Sequence, residues 1–359
     1  MTLPPLVGHE AVWDLFRRAV QRHRLASTFL FVGPAGIGKR ALAMRLAQAL
    51  LCEQATPHEL HELDELQACG TCPACQQVAA LSHPDLILIS KPEDKNFIPI
   101  ELFIGDREHR MREGLCHDIS LKPFRGGRKI AIIDDADFLN QEGANCLLKT
   151  LEEPPPKSVL ILIGTSEQRQ LPTIRSRCQV VRFAPLPPAQ MAGLLAQHEW
   201  AAEQTELESI AIRAGGSFER AAELCEPELR DPRSALLQYL AQPDFDSVAL
   251  AKLVNSCVEA AGKDAPPRRA RLRLLVLEAV DFYRSLVRRA VGASSADDAV
   301  SGELLDAALP HWQGRAEVAA RCLERCLTAL GEIEANANVA TLVHTWIDDL
   351  AVSAISPRG

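Results

Sequence analysis

Residues 27–51 read STFLFVGPAGIGKRALAMRLAQALL, and this stretch decides the fold of the first half of the chain. A short apolar run ends in a glycine-rich turn, and a helical stripe follows, made by Leu42, Leu46, Ala47 and Leu50. Backbone N–H groups at a helix N-terminus bind phosphate, so a strand, a glycine loop and a helix in this order form a phosphate-binding loop. The stretch therefore predicts a P-loop fold rather than a glycine-rich turn that binds no ligand.

The loop keeps the residues that hold phosphate and loses the one that helps to hold magnesium. The residues it keeps are Gly33, Gly36, Gly38 and Lys39. Arg40 stands where a P-loop carries Ser or Thr, and it brings a positive charge to the place of the metal ion. Nucleotide binding without hydrolysis stays an open alternative, because the glycines and the lysine are present.

The second half of a nucleotide site is altered as well. IAIIDDAD at 130–137 resembles a Walker B strand, with Asp134 as the acid on the metal side. A glutamate is usual at the next position, where it polarises the attacking water, but this chain has the shorter Asp135. We therefore expect a degenerate nucleotide site with no intrinsic ATPase activity.

Further continuous apolar runs predict the rest of a sheet. They are DLILIS at 85–90, RKIAIIDDAD at 128–137, SVLILIG at 158–164 and VVRFAPLPP at 180–188. Fully apolar strands that alternate with helices, such as the one at 141–156, indicate a parallel sheet covered on both faces. After about residue 185 the pattern becomes helical, apart from a polar stretch with prolines at 226–234. The helices predicted there are 187–199, 206–216, 217–225, 267–291, 317–334 and 338–354.

Composition limits the function. A chain of 359 residues is too long for one ordinary core and suggests two or three domains. Its net charge of −8 argues against a protein that holds nucleic acid alone, since phosphate contacts need Lys and Arg. The sequence has no apolar run of about 18 residues and no secretion signal at its N-terminus, so we expect a cytoplasmic protein without membrane contact.

Eleven cysteines in a cytoplasmic chain argue against a disulfide framework, but four of them are grouped. They are Cys52, Cys69, Cys72 and Cys75, three of them within CGTCPAC at 69–75. Close cysteines on a tight turn can supply the tetrahedral ligands of a structural Zn²⁺ site, and four thiolates would leave no open position for catalysis. The alternatives are free thiols or, if Cys52 proves too distant, ligation by His58, His61 or His83.

Several motifs in order resemble those of one protein family. They are FVGPAGIGKRALA at 31–43, the cysteine group, SHPDL at 82–86, NCLLKTLEEPP at 145–155 and LPTIRSRCQ at 171–179. Over residues 5–230 the chain resembles the delta-prime family of bacterial DNA polymerase III clamp-loader subunits, which belongs to the AAA+ group. The helical sequence after residue 230 shows only a weak resemblance to the family.

The resemblance implies an α/β plus all-α architecture. A RecA-like AAA+ P-loop domain would occupy residues 1–185, with the four-cysteine zinc module inserted at about 52–75. A three-helix lid would follow at 186–230, and a C-terminal helical collar at 231–359 would serve oligomerisation.

The resemblance also implies a function. The chain would be a stationary subunit of the clamp loader, which helps to load the sliding clamp onto primer-template DNA during replication. Its partners would be the delta and gamma/tau subunits in a pentameric ring, the clamp and DNA, within the DNA polymerase III holoenzyme. In the turn Ser176-Arg177-Cys178, Arg177 would act as an arginine finger in the ATP site of the neighbouring motor subunit. The alternative for Arg177 is an ion-paired surface residue.

Two further positions bear on catalysis. Motor relatives carry an arginine after a Gly-Ser pair in the lid, where this chain has Glu219 and, one residue later, Arg220. Thr165 is a candidate polar contact in a loosely matched sensor segment. An active AAA+ ATPase, either a loader motor or a branch-migration helicase, would need Ser or Thr at position 40 and Glu at 135. A zinc-dependent DNA-binding module is opposed by the acidic net charge.

Overall fold

The computed structural model describes residues 7–54, 66–125, 127–197, 204–293 and 302–355. His58 and His61, two of the alternative metal ligands, lie outside the described residues. Packing divides the chain into two compact units, Met1–Gln190 and Met191–Gly359. Among the helices in the described ranges, none combines the length and the apolar character needed to cross a membrane.

Within the described residues, five parallel strands form the sheet of the first unit. They are β1 (Thr28–Val32), β2 (Leu86–Ile89), β3 (Lys129–Ile133), β4 (Ser158–Gly164) and β5 (Gln179–Arg182). Their order across the sheet is β2-β3-β4-β1-β5, and every neighbouring pair is parallel. In register, Phe29 of β1 lies between Ile161 of β4 and Gln179 of β5. The predicted parallel sheet and its RecA-like fold are thus confirmed.

The last strand is shorter than the sequence pattern predicts. β5 ends at Arg182, although the apolar run continues to residue 188. Phe183 N still donates to Val32 O at 2.8 Å. The prolines that follow have no N–H to extend the ladder, so the pairing stops there.

Helices cover both faces of this sheet. They are α1 (Glu10–Gln21), α2 (Lys39–Leu51), α3 (Pro73–Ala79), α4 (Glu101–Ile104), α5 (Leu115–Asp118), α6 (Gln141–Glu152) and α7 (Pro172–Arg175), with a 3-10 turn at Ala136–Phe138. Phe29 and Phe31 of β1 are buried on one face with apolar residues of α1 and α2. Leu30 and Val32 are buried on the opposite face with those of α6. Burial on both faces explains why the strands read as continuous apolar runs.

Beyond β5 the regular structure of the described residues is helical. The helices are α8 (Pro188–Ala196), α9 (Gln204–Arg213), α10 (Phe218–Leu224), α11 (Pro227–Leu240), α12 (Ser247–Ala260), α13 (Ala265–Ala290), α14 (Gly302–Trp312), α15 (Ala316–Glu334) and α16 (Val339–Ile355). The polar stretch at 226–234 proves to be the start of α11, because Pro227 occupies the first helical position, where proline costs no hydrogen bond. Helices α11 to α16 share one apolar core that includes Tyr283 and Trp346.

Candidate functional site

The phosphate loop connects β1 to α2. Gly33, Gly36 and Gly38 have positive φ angles of 155°, 71° and 101°, which favour glycine. At Gly33 a side chain would also collide, since an added Cβ would lie 2.6 Å from Phe183 O. The structure therefore places the three predicted glycines in one turn at the N-terminus of α2.

The side chain of Lys39 turns back onto this loop. Its Nζ donates to Gly33 O at 2.7 Å and to Pro34 O at 2.5 Å, and the residue is only 6% exposed. A phosphate entering the loop would compete with these carbonyls for the ammonium group. Through these two hydrogen bonds the lysine stabilises the loop itself.

Arg40 reaches across to the Walker B segment. Its Nη1 lies 3.5 Å from Asp134 Oδ2, with side-chain exposures of 54% and 21%. In a P-loop enzyme the hydroxyl that Arg40 replaces and the acid corresponding to Asp134 both belong to the magnesium site. A guanidinium therefore pairs with the carboxylate that magnesium would need.

Asp135 follows directly after this pair. Burial raises the pKa of its carboxyl group, and the charge of Asp134 adds to the rise, while the backbone N–H of Lys91 opposes it. The Asp135 N–H donates to Asp134 Oδ1 at 3.0 Å. The side chain is shorter than the usual glutamate and is partly buried beside a second acid, so it is poorly suited to polarise a water.

Thr165 follows the end of β4 and contacts an acid that the sequence did not single out. Asp137 Oδ2 accepts hydrogen bonds from Thr165 N at 2.8 Å and from Thr165 Oγ1 at 2.5 Å. Gln170 Nε2 donates to the other carboxylate oxygen of Asp137. Thr165, the candidate sensor contact, is thus hydrogen-bonded to a neighbouring turn of the same unit.

The Ser-Arg-Cys turn lies between α7 and β5. Arg177 Nε donates to Glu152 Oε1 at 2.7 Å, and Nη1 donates to Thr173 O and to Ser176 Oγ, both at 3.0 Å. The Arg177 carbonyl accepts from Thr28 Oγ1 at 2.7 Å, which ties the turn to β1. The arginine side chain retains 31% of its exposure. It is therefore anchored at its backbone and accessible at its guanidinium.

Cys178 plays a different part in this turn. It packs against the apolar core on the α6 face of the sheet. Burial raises the pKa of its thiol to about 12. A thiol that stays protonated is a weak nucleophile, and its packing helps to hold the turn against the sheet.

Four cysteine sulfurs lie together near the end of α2 and the start of α3. The Sγ atoms of Cys52, Cys69, Cys72 and Cys75 are all within 4.8 Å of one another. The Cys52–Cys72 and Cys69–Cys75 sulfur separations are both 3.9 Å. Tetrahedral Zn–S bonds of about 2.3 Å require sulfurs about 3.8 Å apart, whereas a disulfide needs about 2.05 Å. The set fits a tetrahedral metal ion, while the alternative ligand His83 accepts a hydrogen bond from Asp85 N at 3.0 Å.

Their surroundings shift the pKa values of two of these thiols in opposite directions. The N–H of Cys72 lowers the pKa of the Cys69 thiol to about 6. Burial raises the pKa of the Cys75 thiol well above its usual value. Metal binding would therefore release the Cys75 proton, and the affinity for the metal would increase as the pH rises.

Arg220, one residue beyond the place of the arginine in motor relatives, is paired within the second unit. Arg220 of α10 forms an ion pair with Asp281 of α13, a residue that is only 4% exposed. Glu219 beside it is exposed. This partner could not be predicted from the sequence, because Asp281 lies inside an amphipathic helix far along the chain.

Comparisons with known proteins agree with the resemblance. A family model described as "DNA polymerase III, delta subunit" matches residues 8–187. The DNA polymerase III subunit delta' of Pseudomonas aeruginosa is 34% identical over 253 residues, which cover 69% of this chain and 69% of that relative. The Escherichia coli protein of the same name is 32% identical over 247 residues, covering 68% and 67%. A solved DNA polymerase III gamma subunit-related protein of Thermotoga maritima aligns with 95% of this chain and 99% of its own, at a TM-score of 0.44 and 18% identity.

The matched region contains the phosphate loop, the cysteine group and the Ser-Arg-Cys turn. By both the family model and these relatives, the chain belongs to the DNA polymerase III delta-subunit family that includes the delta-prime proteins.

Proposed function

We propose that this chain is the stationary AAA+ subunit of a DNA polymerase III clamp loader. It helps to load the sliding clamp onto primed DNA, does not hydrolyse ATP in its own pocket, and supplies Arg177 to the ATP site of a neighbouring motor subunit. Membership of the family supports the assembly. The division of labour within the assembly is supported by the side-chain contacts of the first unit.

The observation that carries this proposal is the pair between Arg40 and Asp134, 3.5 Å apart. Hydrolysis at a P-loop needs a divalent cation that bridges the phosphates and is held in part by the acid at this position. Arg40 neutralises that acid and lacks the hydroxyl that would complete the metal site. The altered Asp135 weakens the activation of water at the same pocket. Nucleotide can still reach the glycine loop, but cleavage lacks two of its requirements.

The position of Arg177 supports a role in a partner's site. A guanidinium stabilises the charge that develops on a transferred phosphoryl group, and a neighbouring chain can supply it. Arg177 has a fixed backbone and a partly exposed side chain. The alternative is a structural surface arginine paired with Glu152, and an experiment with the assembled loader distinguishes the two.

The cysteine group is proposed to hold structural Zn²⁺. The ion would cross-link the C-terminal end of α2, through Cys52, to the turn and helix that carry the other three sulfurs. With four thiolates the coordination sphere is closed, so the metal supplies stability and no catalysis.

The helical part is proposed to provide a lid and a collar. The lid would comprise residues 186–230, and the collar would comprise 231–359, whose helices α11 to α16 build their own apolar core. Through the collar the chain would join delta and gamma/tau subunits in a pentameric ring that holds the clamp and primer-template DNA. The acidic net charge of −8 fits a subunit that shares its DNA contacts with such partners.

Reconstitution tests the proposed function. The purified chain with primed DNA should show no ATPase activity above background. In a reconstituted loader, Arg177→Ala should leave assembly intact but remove the share of the ATPase rate that comes from the motor site facing this chain, while the other motor sites continue to work. Arg175→Ala removes the same charge two residues away and should leave the rate unchanged. Turnover by the isolated chain that Lys39→Ala abolishes, or an unchanged rate with Arg177→Ala, would contradict the proposal.

A further inference from the structure

The guanidinium of Arg177 is held by partners on two sides. Glu152 Oε1 accepts from Nε at 2.7 Å and also from Nη2. On the other side, Nη1 donates to Thr173 O and Ser176 Oγ, both at 3.0 Å. These contacts define the direction of the side chain and the plane of the guanidinium group in the structure.

Glu152 is itself an unusual residue for its position. It is the last residue of α6, and Glu153 follows it. The C-terminus of a helix carries partial negative charge and favours cations there, so an acidic residue at this place is destabilising unless it is paired. An acidic residue at the negative end of a helix is unfavourable locally, which indicates a role beyond helix stability. Among the described residues, the only partner of the Glu152 carboxylate is Arg177.

The strength of the pair decides what it can do. The side chains of Arg177 and Glu152 are 31% and 48% exposed, and an ion pair in such a setting shifts a local equilibrium by about two- to fivefold. Contacts between arginine and a polyphosphate are stronger than this. The carboxylate therefore cannot keep the guanidinium away from ATP, but it can favour one orientation of a long, flexible side chain.

We infer that Glu152 is a positioning residue for Arg177: it orients the guanidinium that the chain presents to its neighbour's ATP. This inference rests on the proposed function of Arg177. Orientation before docking lowers the entropy lost when the arginine meets the transition state. The effect belongs in kcat rather than in the KM for ATP, because a finger acts on charge that develops during phosphoryl transfer.

The test uses the reconstituted clamp loader with primed DNA. The Arg177-dependent rate is the ATPase rate of the native loader less that of the loader with Arg177→Ala. Glu152→Gln keeps the shape of the side chain and removes its charge. It should lower the Arg177-dependent kcat by about two- to fivefold and leave KM unchanged. Glu153→Gln removes the same charge from the same helix end and should leave both constants unchanged.

A second background separates positioning from a general structural role. In a chain that already carries Arg177→Ala, Glu152→Gln should have no further effect on kcat or on the amount of assembled loader. A normal or increased rate with Glu152→Gln would overturn the inference while leaving the arginine finger in place. An added loss in the Arg177→Ala background would overturn it in favour of a structural role. If Arg177→Ala itself has no effect, the proposed function fails, and the inference fails with it.

Discussion

Replacing Arg40 by threonine restores the missing hydroxyl and removes the cation from the metal position. Nη1 of Arg40 lies 3.5 Å from Asp134 Oδ2. Magnesium held by that oxygen at about 2.1 Å could be no farther than about 5.6 Å from the guanidinium nitrogen. Charges of +1 and +2 at this separation repel by about 1.5 kcal/mol even with the dielectric constant of water. Because the Arg40 side chain is 54% exposed, water is the appropriate screening limit. Removing the arginine should therefore favour Mg²⁺-bound nucleotide by about tenfold.

Calorimetry on the isolated chain measures this difference. ATP is titrated in saturating Mg²⁺ and again in excess chelator. The Arg40→Thr chain should bind about tenfold more tightly with Mg²⁺ than without it, whereas the native chain should show no such preference. Arg45→Thr removes one positive charge farther along the same helix and should behave like the native chain. Tighter binding by the native chain in Mg²⁺, or no gain with Arg40→Thr, would refute the view that Arg40 occupies the metal position.

Three further outcomes are expected. Freshly purified, reduced protein should contain about one Zn²⁺ per chain. Cys75→Ser should lower this metal content. Acidification should promote metal loss, because the buried Cys75 thiol must give up its proton to bind the metal. Gly33→Ala should lower the free energy of unfolding in urea by about 1–3 kcal/mol, because its Cβ would lie 2.6 Å from Phe183 O. As the control, Gly127→Ala adds a Cβ with nothing within 4 Å and should cost much less. Glu278→Ala, which removes the buried partner of Arg213 and Arg233, should cost about 3 kcal/mol, against less than about 1 kcal/mol for Asp306→Ala in an exposed pair. Metal-free native protein, or equal costs within either matched pair, would contradict the corresponding expectation.

The sheet could be predicted because its strands are buried on both faces. A strand such as β4, apolar at nearly every position, has few other interpretations when glycine turns and amphipathic helices separate it from its neighbours. The departures at Arg40 and Asp135 could be predicted for a similar reason. Each replaces a residue whose chemistry is fixed by its place in a local motif, so the sequence alone reveals the loss.

The partners of these residues could not be predicted in the same way. The carboxylate beside Arg177 comes from the end of another helix, and Asp281 lies deep in α13. Only the folded chain brings such pairs together. His9 was also missed: it is buried beneath the phosphate loop, with Nε2 2.6 Å from Ile37 O, and a lone histidine before a helix gives no sign of that contact.

A common physical pattern joins the altered positions. Within the first unit, candidate polar residues of the nucleotide site are paired inside the chain, Arg40 with Asp134 and Thr165 with Asp137. A ligand shifts a conformational equilibrium only by the difference in its affinity for the two states. A nucleotide in this pocket must compete with these partners and cannot recruit magnesium. Its affinities for the two states should therefore differ little. We therefore expect the conformation of this chain to respond weakly to nucleotide in its own pocket.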